Sequence, residues 1–170
     1  MKREMRKAAV LGSGTMGSGI AALLASVGVE VALLDIPGKD STPSDPPEVR
    51  SAAALAGLER ARALKAPAPL TEAELARIHP GNFDDHLGWL TDADWVIEVV
   101  VERLDIKRAL LEKVVAAANP DAILSTNTSG IPIASISAGF GPDVGRRFLG
   151  THFFNPPRVL KLLELIPGAE

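Results

Sequence analysis

Cysteine is absent from the 170 residues, which excludes disulfides, a thiolate zinc site and a cysteine nucleophile. No metal site is expected. Tyrosine is absent too, and aromatic residues make up only 4 %, too few for the stacking platforms of single-strand nucleic-acid binders. Positive charge is not in excess: the net charge of −3 argues against binding a phosphate backbone, so no nucleic-acid partner is expected. No stretch reaches the roughly 18 uninterrupted apolar residues of a spanning helix, so no membrane insertion is expected. The opening MKREMRK and the apolar stretch behind it have the outline of a signal peptide. Glu4 interrupts the basic part, however, and five glycines break up the apolar part. A soluble, cytoplasmic protein is expected.

What is present is ordinary for a globular chain: 46 % hydrophobic and 23 % charged residues. A chain of this length buries roughly 70 % of its unfolded surface as one domain and hardly makes two. Short apolar runs alternate with helical patterns. Ala8–Leu11 and Val31–Leu34 are continuous runs, as in strands buried on both faces. Between them Met16, Ile20, Leu23, Leu24 and Val27 mark one helix face, and Gly28 ends it. Residues 37 to 47 are rich in Pro and polar residues and predict a loop. A helix is predicted over Val49–Ala66, then a short one with Thr71 as N-cap, Glu74 completing a capping box and Pro80 beyond its end. Together they form a helical insertion over about 48–79. Strands are predicted at Asn82–Asp84, Trp95–Val101, Ala122–Ser125 and Phe148–Phe154, with a last apolar run at Leu160–Ile166. Helices are predicted around Ile106–Ala117 and Pro132–Ser137. The alternation predicts an α/β, Rossmann-like, doubly wound and mainly parallel sheet, with its site at the carboxyl ends of the strands.

The loop after the first strand, Gly12-Ser13-Gly14-Thr15-Met16-Gly17, matches G-x-G-x-x-G. Gly12 permits the turn, Gly14 lets the backbone approach a pyrophosphate, and Gly17 lets helix and strand pack closely. Thr15 and Met16 are placed on the cofactor with them. The helix N-terminus offers N–H groups and partial positive charge. Asp35 closes the second strand, 18 residues after Gly17. A carboxylate there accepts hydrogen bonds from a ribose and repels a 2′-phosphate, so NAD is preferred over NADP. The bland alternative is a packing turn with an ordinary surface Asp. Gly19 reads as close helix packing, and His79 and His86 as ordinary loop histidines.

The second informative stretch is Gly150-Thr151-His152-Phe153-Phe154-Asn155-Pro156-Pro157. With GSGTMGSGIA, VIEVVVERLDIK, STNTSGIPI and GTHFFNPPRVLKLLELI in this order, the chain resembles the NAD-binding domain of L-3-hydroxyacyl-CoA dehydrogenases, enzymes of fatty-acid β-oxidation. The resemblance covers nearly the whole chain except residues 37–76. It implies NAD-dependent oxidation of (S)-3-hydroxyacyl-CoA to 3-oxoacyl-CoA. It makes His152 the catalytic base and Glu164 its acidic partner, with Ser129 and Asn155 near the substrate's 3-oxygen and the nicotinamide. Glu102, Lys107 and Asn127 fall at cofactor-side positions. An acyl-CoA substrate is implied, together with a C-terminal helical domain beyond this chain and a homodimer in the full-length protein.

The chemistry is reasonable on the residues alone. A neutral imidazole titrates near about 6.5 and suits proton removal, and a carboxylate on its other nitrogen fixes the tautomer. Glu164 lies in an apolar run, where an unpaired carboxylate is costly, so a partner is expected. Glu98 also interrupts an apolar strand and reads as structural or as supporting the site from behind. Asn127 and Ser129 alternatively read as turn or cap residues, and Lys107 as a solvated helix residue. Three positions depart from the family pattern: Arg103 replaces a common Asn, Gly130 a common Ser, and Ala61 lies near an expected Ser. Arg62 and Lys65 fit either CoA phosphates or a solvated face. Two other functions stay open. One is a different β-hydroxyacid dehydrogenase on the same fold, with a lysine catalyst in the next domain. The other is a non-catalytic NAD-binding or structural relative.

Overall fold

A computed structural model describes residues 4–168. Within it, β1 (Lys7–Leu11), β2 (Glu30–Asp35), β3 (Ile78–Asn82), β4 (Trp95–Glu98), β5 (Ile123–Thr126), β6 (Phe148–Phe153) and β7 (Leu163–Ile166) form one sheet. Its order is β3-β2-β1-β4-β5-β6-β7. Every pairing is parallel except β6 with β7. The helices are α1 (Thr15–Ser26), α2 (Pro47–Arg50), α3 (Ala52–Arg62), α4 (Glu72–Leu75), α5 (Leu104–Ala117), α6 (Ile133–Ser137) and α7 (Pro142–Gly145). The expected doubly wound architecture is present.

Two cores flank the sheet, because successive side chains of a strand face opposite ways. Ala8 and Val10 of β1 pack with Ile20, Leu24 and Leu75 on one side. Ala9 and Leu11 pack with Leu110, Leu111 and Val114 on the other. This double cover explains why the central strands read as continuous apolar runs. The strand order reverses between β1 and β4, and a crevice at the carboxyl ends there is where such sheets take ligands.

Several elements differ from the expectations above. α1 buries Gly17, Ser18, Gly19, Ile20, Ala21, Ala22, Leu24 and Ala25, while Val27 is exposed and Met16 and Leu23 are half-buried. Small residues let the sheet and α3 approach this helix together, so the large residues do not define its buried face. The Gly28 and Val29 N–H groups close its end on the carbonyls of Ala25 and Leu24. The long helix predicted from Val49 breaks at Ser51 into α2 and α3. The capping box at α4 is as expected. The insertion's helices end at Leu75, because β3 begins at Ile78, earlier than the strand predicted at Asn82. Pro80 lies inside β3, which its place at the sheet edge allows. The strand expected over Trp95–Val101 ends at Glu98. A 3-10 turn at Leu87–Asp92 and the short α7 were not predicted; neither is long enough to show periodicity.

Candidate active site

The glycine loop stands at the end of β1. Gly12 has φ +108°, and a Cβ there would lie 2.6 Å from the Val99 carbonyl oxygen. A Cβ on Gly17 would lie 1.8 Å from the Gly12 oxygen. Gly14, the N-cap of α1, is different: a Cβ there would meet nothing within 4 Å. Open space over that backbone, at a helix N-terminus with no acidic residue in its first turn, fits a pyrophosphate. A cleft of about 550 Å³ adjoins the loop, lined by Gly12, Gly14, Asp35, Ile36, Val101 and Lys113 among others. The residues present therefore fit a dinucleotide. Thr15 is exposed beside this opening and Met16 is half-buried.

Asp35 stands at the end of β2, at the rim of the cleft. Its Oδ2 accepts the Ser13 N–H at 2.6 Å and lies 2.5 Å from the Ser13 hydroxyl. Its Oδ1 accepts the Ile36 N–H at 2.7 Å. The carboxylate is thus held in one orientation by the loop. The insertion braces the same loop: Arg60 donates to the Ser13 carbonyl at 2.6 Å, and the Ser13 hydroxyl lies 2.9 Å from the Ala53 carbonyl. Arg62 pairs with Glu72 at 2.7 Å, and Ala61 is fully buried. Arg103 pairs with Asp105 at 2.6 Å.

At the other end of the carboxyl edge, β6 and β7 pair with His152 opposite Glu164. Directly opposite side chains on one face meet, and His152 Nδ1 lies 2.7 Å from Glu164 Oε2. The histidine side chain is 22 % exposed and the glutamate 51 %, so the pair is open to an incoming molecule. Phe154 packs obliquely against the imidazole, ring centres 4.6 Å apart. Asn155 follows, exposed, with a cis bond to Pro156. Pro157 packs on α1, where a Cβ at Gly19 would meet its ring at 3.0 Å. His79 pairs with Glu30 at 2.8 Å, and His86 packs on Trp89.

The loops after β4 and β5 meet between these two sites. Asn127 Oδ1 accepts the Phe153 N–H at 2.9 Å, tying its loop to β6. Ser129 is exposed, and its N–H donates to Glu102 Oε1 at 3.1 Å. Glu102 also accepts from the Gly130 N–H at 3.0 Å and from the Thr128 hydroxyl. Burial pushes the Glu102 carboxyl up, but these donors and Lys107 outweigh that and hold it down at about 2. Lys107 is not the solvated helix residue its sequence context also allowed. It is 1 % exposed, with its ammonium 2.9 and 3.0 Å from the Glu98 oxygens and 3.2 Å from Glu102 Oε2. Its face of α5 turns into the core, so it reaches the loops from below.

The sequence reading missed Ser13 and Arg60 as braces, and Ile36, Val101 and Lys113 as cleft walls. Lys113 was findable, since it follows Ile106 by seven residues and so shares its helix face. Arg60 and Ser13 lie 47 residues apart, and no local signal links them.

Among known proteins, the family model described as 3-hydroxyacyl-CoA dehydrogenase, NAD binding domain, matches residues 7–170. A protein of Bacillus subtilis named probable 3-hydroxyacyl-CoA dehydrogenase is 47 % identical, over 100 % of this chain and 23 % of its own length. One of the same name from Deinococcus radiodurans is 49 % identical, over 96 % of this chain and 46 % of its own. The solved (S)-3-hydroxybutyryl-CoA dehydrogenase of Ralstonia eutropha superposes with a TM-score of 0.77 at 34 % identity, covering 98 % of this chain and 55 % of that one. The chain thus spans between about a quarter and about half the length of these relatives.

Proposed function

This chain belongs to the 3-hydroxyacyl-CoA dehydrogenase family as its NAD-binding domain, and on that premise we propose that it serves the NAD-dependent oxidation of (S)-3-hydroxyacyl-CoA to 3-oxoacyl-CoA in fatty-acid β-oxidation. The observation that carries this reading is the His152–Glu164 pair at 2.7 Å, open to solvent on the same carboxyl edge as the glycine loop. NAD is the cofactor, and when bound it supplies the hydride acceptor.

The chain's own residues do the rest. Gly14, Thr15 and Met16 receive the pyrophosphate at the start of α1, on a turn that Gly12 permits and a close helix packing that Gly17 permits. Asp35, held by Ser13, offers its carboxylate to the adenosine ribose and repels a 2′-phosphate. Glu164 takes the proton-bearing Nδ1 of His152, which leaves Nε2 as the base for the substrate hydroxyl. The negative charge of Glu164 then stabilises the imidazolium. Ser129 and Asn155 are exposed where they can donate to the 3-oxygen as its charge changes. Asn127, Glu102 and Lys107 order the cofactor side of that surface, Lys107 from beneath. The additional length of the relatives is proposed to complete the acyl-CoA pocket and a homodimer contact, in a cytoplasmic protein.

Titration of the chain with NADH and NADPH tests the cofactor half. Tighter NADH binding is expected, and a preference for NADPH would overturn the role given to Asp35. His152→Ala in the full-length protein tests the chemistry. Oxidation of 3-hydroxyacyl-CoA is expected to fall by roughly 10²–10⁴, with NADH binding retained. Undiminished oxidation would rule out this base and favour a dehydrogenase whose base lies elsewhere.

A further inference from the structure

One buried carboxylate is left unused by that mechanism. Glu98 ends β4, and its side chain is 10 % exposed. Its Oε1 accepts the Val100 N–H at 2.6 Å and lies 2.9 Å from the Lys107 ammonium. Its Oε2 accepts the Thr126 hydroxyl at 2.6 Å and lies 3.0 Å from the same ammonium. Its backbone carbonyl accepts the Asn127 N–H at 2.8 Å.

We propose that Glu98 is a positioning residue that, through Lys107 and Glu102, holds the loop bearing Asn127 and Ser129 against the end of β4. A buried ammonium without a carboxylate beside it loses its proton or leaves the interior. Glu102 is 42 % exposed and is screened by water, so the buried Glu98, with both oxygens against the ammonium, is the partner that keeps Lys107 in place. Lys107 then holds Glu102 Oε2 at 3.2 Å. That leaves Oε1 turned to the N–H groups of Ser129 and Gly130. A second route runs through Thr126, whose hydroxyl accepts the Thr128 N–H at 3.3 Å. Two carboxylates around one ammonium are weak evidence for added stability, because desolvation cancels much of the attraction. Fixing one geometry for the loop is the role that this arrangement serves. The functional consequence rests on the role proposed above for Ser129; the positioning itself does not.

Amide exchange and amide chemical shifts in the ¹⁵N-labelled chain test this, because they read the loop with no substrate or cofactor present. In Glu98→Gln, the Ser129 and Gly130 amides are expected to shift and to exchange at least about tenfold faster. The α1 amides of Ser18 to Ala22 are expected to stay within about twofold. Unchanged Ser129 and Gly130 amides, or acceleration spread evenly over the chain, would overturn the proposal. Should Glu98→Gln alone fail to fold, the double variant Glu98→Gln, Lys107→Met removes both buried charges at similar volume. The same local loosening is expected there, because Glu102 has lost its anchor. Protected Ser129 and Gly130 amides in that variant, or its failure to fold, would reduce the cluster to a structural ion pair. NADH titration of the unmodified chain reports on the dehydrogenase reading separately.

Discussion

Asp35 and Glu164 show how differently two carboxylates at strand ends are held. Asp35 has two contacts from Ser13 of the glycine loop and one from its neighbour Ile36, at 2.5–2.7 Å, so its carboxylate is already oriented for the ribose proposed above. Replacing it with Ser removes the charge that repels a 2′-phosphate. Asp35→Ser is expected to weaken NADH and strengthen NADPH relative to it, narrowing the ratio of their dissociation constants by about tenfold or more, as read by fluorescence titration. Glu164 reaches His152 only because the two strands pair in that register. Glu164→Gln keeps a hydrogen-bonding group but loses the charge. Turnover of the full-length protein is expected to fall by about 10- to 100-fold with little change in NADH affinity. The residue types of this pair were legible in the sequence, but the apolar run around Glu164 is exposed along all of β7, so the expected cost of burying its carboxylate does not arise here. The distance between the two was not legible, since twelve residues of separation say nothing about pairing.

At the scale of elements, the insertion braces the cofactor loop. Gly57 of α3 packs so closely on the loop that a Cβ there would lie 2.6 Å from the Ser13 Cβ. Gly57→Ala is therefore expected to push α3 off the loop and weaken NADH binding more than it lowers the melting temperature, readable from a titration beside a thermal scan. The capping box of α4 acts locally. Thr71 and Glu74 satisfy each other's backbone N–H groups, and Thr71→Ala should cost about 1 kcal/mol in urea unfolding. That motif was legible because cap chemistry spans only four residues. The break at Ser51 was not. It lies beside Arg50, whose buried guanidinium grips Asp85 through two 2.6 Å contacts that connect segments 35 residues apart.

For the molecule as a whole, acid stability follows from carboxylates tied across the chain. The Arg50 guanidinium, with Asn82, holds the Asp85 carboxyl down at about 2. Glu102 is also held at about 2: its burial acts the other way, but Thr128, Gly130 and Lys107 prevail. Both groups are more acidic folded than unfolded, where they titrate near about 4. Their contribution is present above that pH and is lost as pH falls from about 4 towards 2. The urea midpoint of the chain is expected to drop steeply across this window. The double variant Asp85→Asn, Glu102→Gln should start lower and show a shallower drop.

The family resemblance, carried by segments such as His-Phe-Phe-Asn-Pro, pointed to the candidate base, while alternating apolar runs and the G-x-G-x-x-G loop determined the fold class and the cofactor from sequence alone. These signals are local: each depends on the spacing of neighbours along one strand, turn or helix. Tertiary structure decided the rest. It placed β7 antiparallel beside β6 so that Glu164 meets His152. It turned Lys107 from surface into core, and it laid Arg60 and Gly57 on the glycine loop. Each of these depends on which distant segments the packed sheet and helices bring together, and a side chain's spacing along the chain does not encode that.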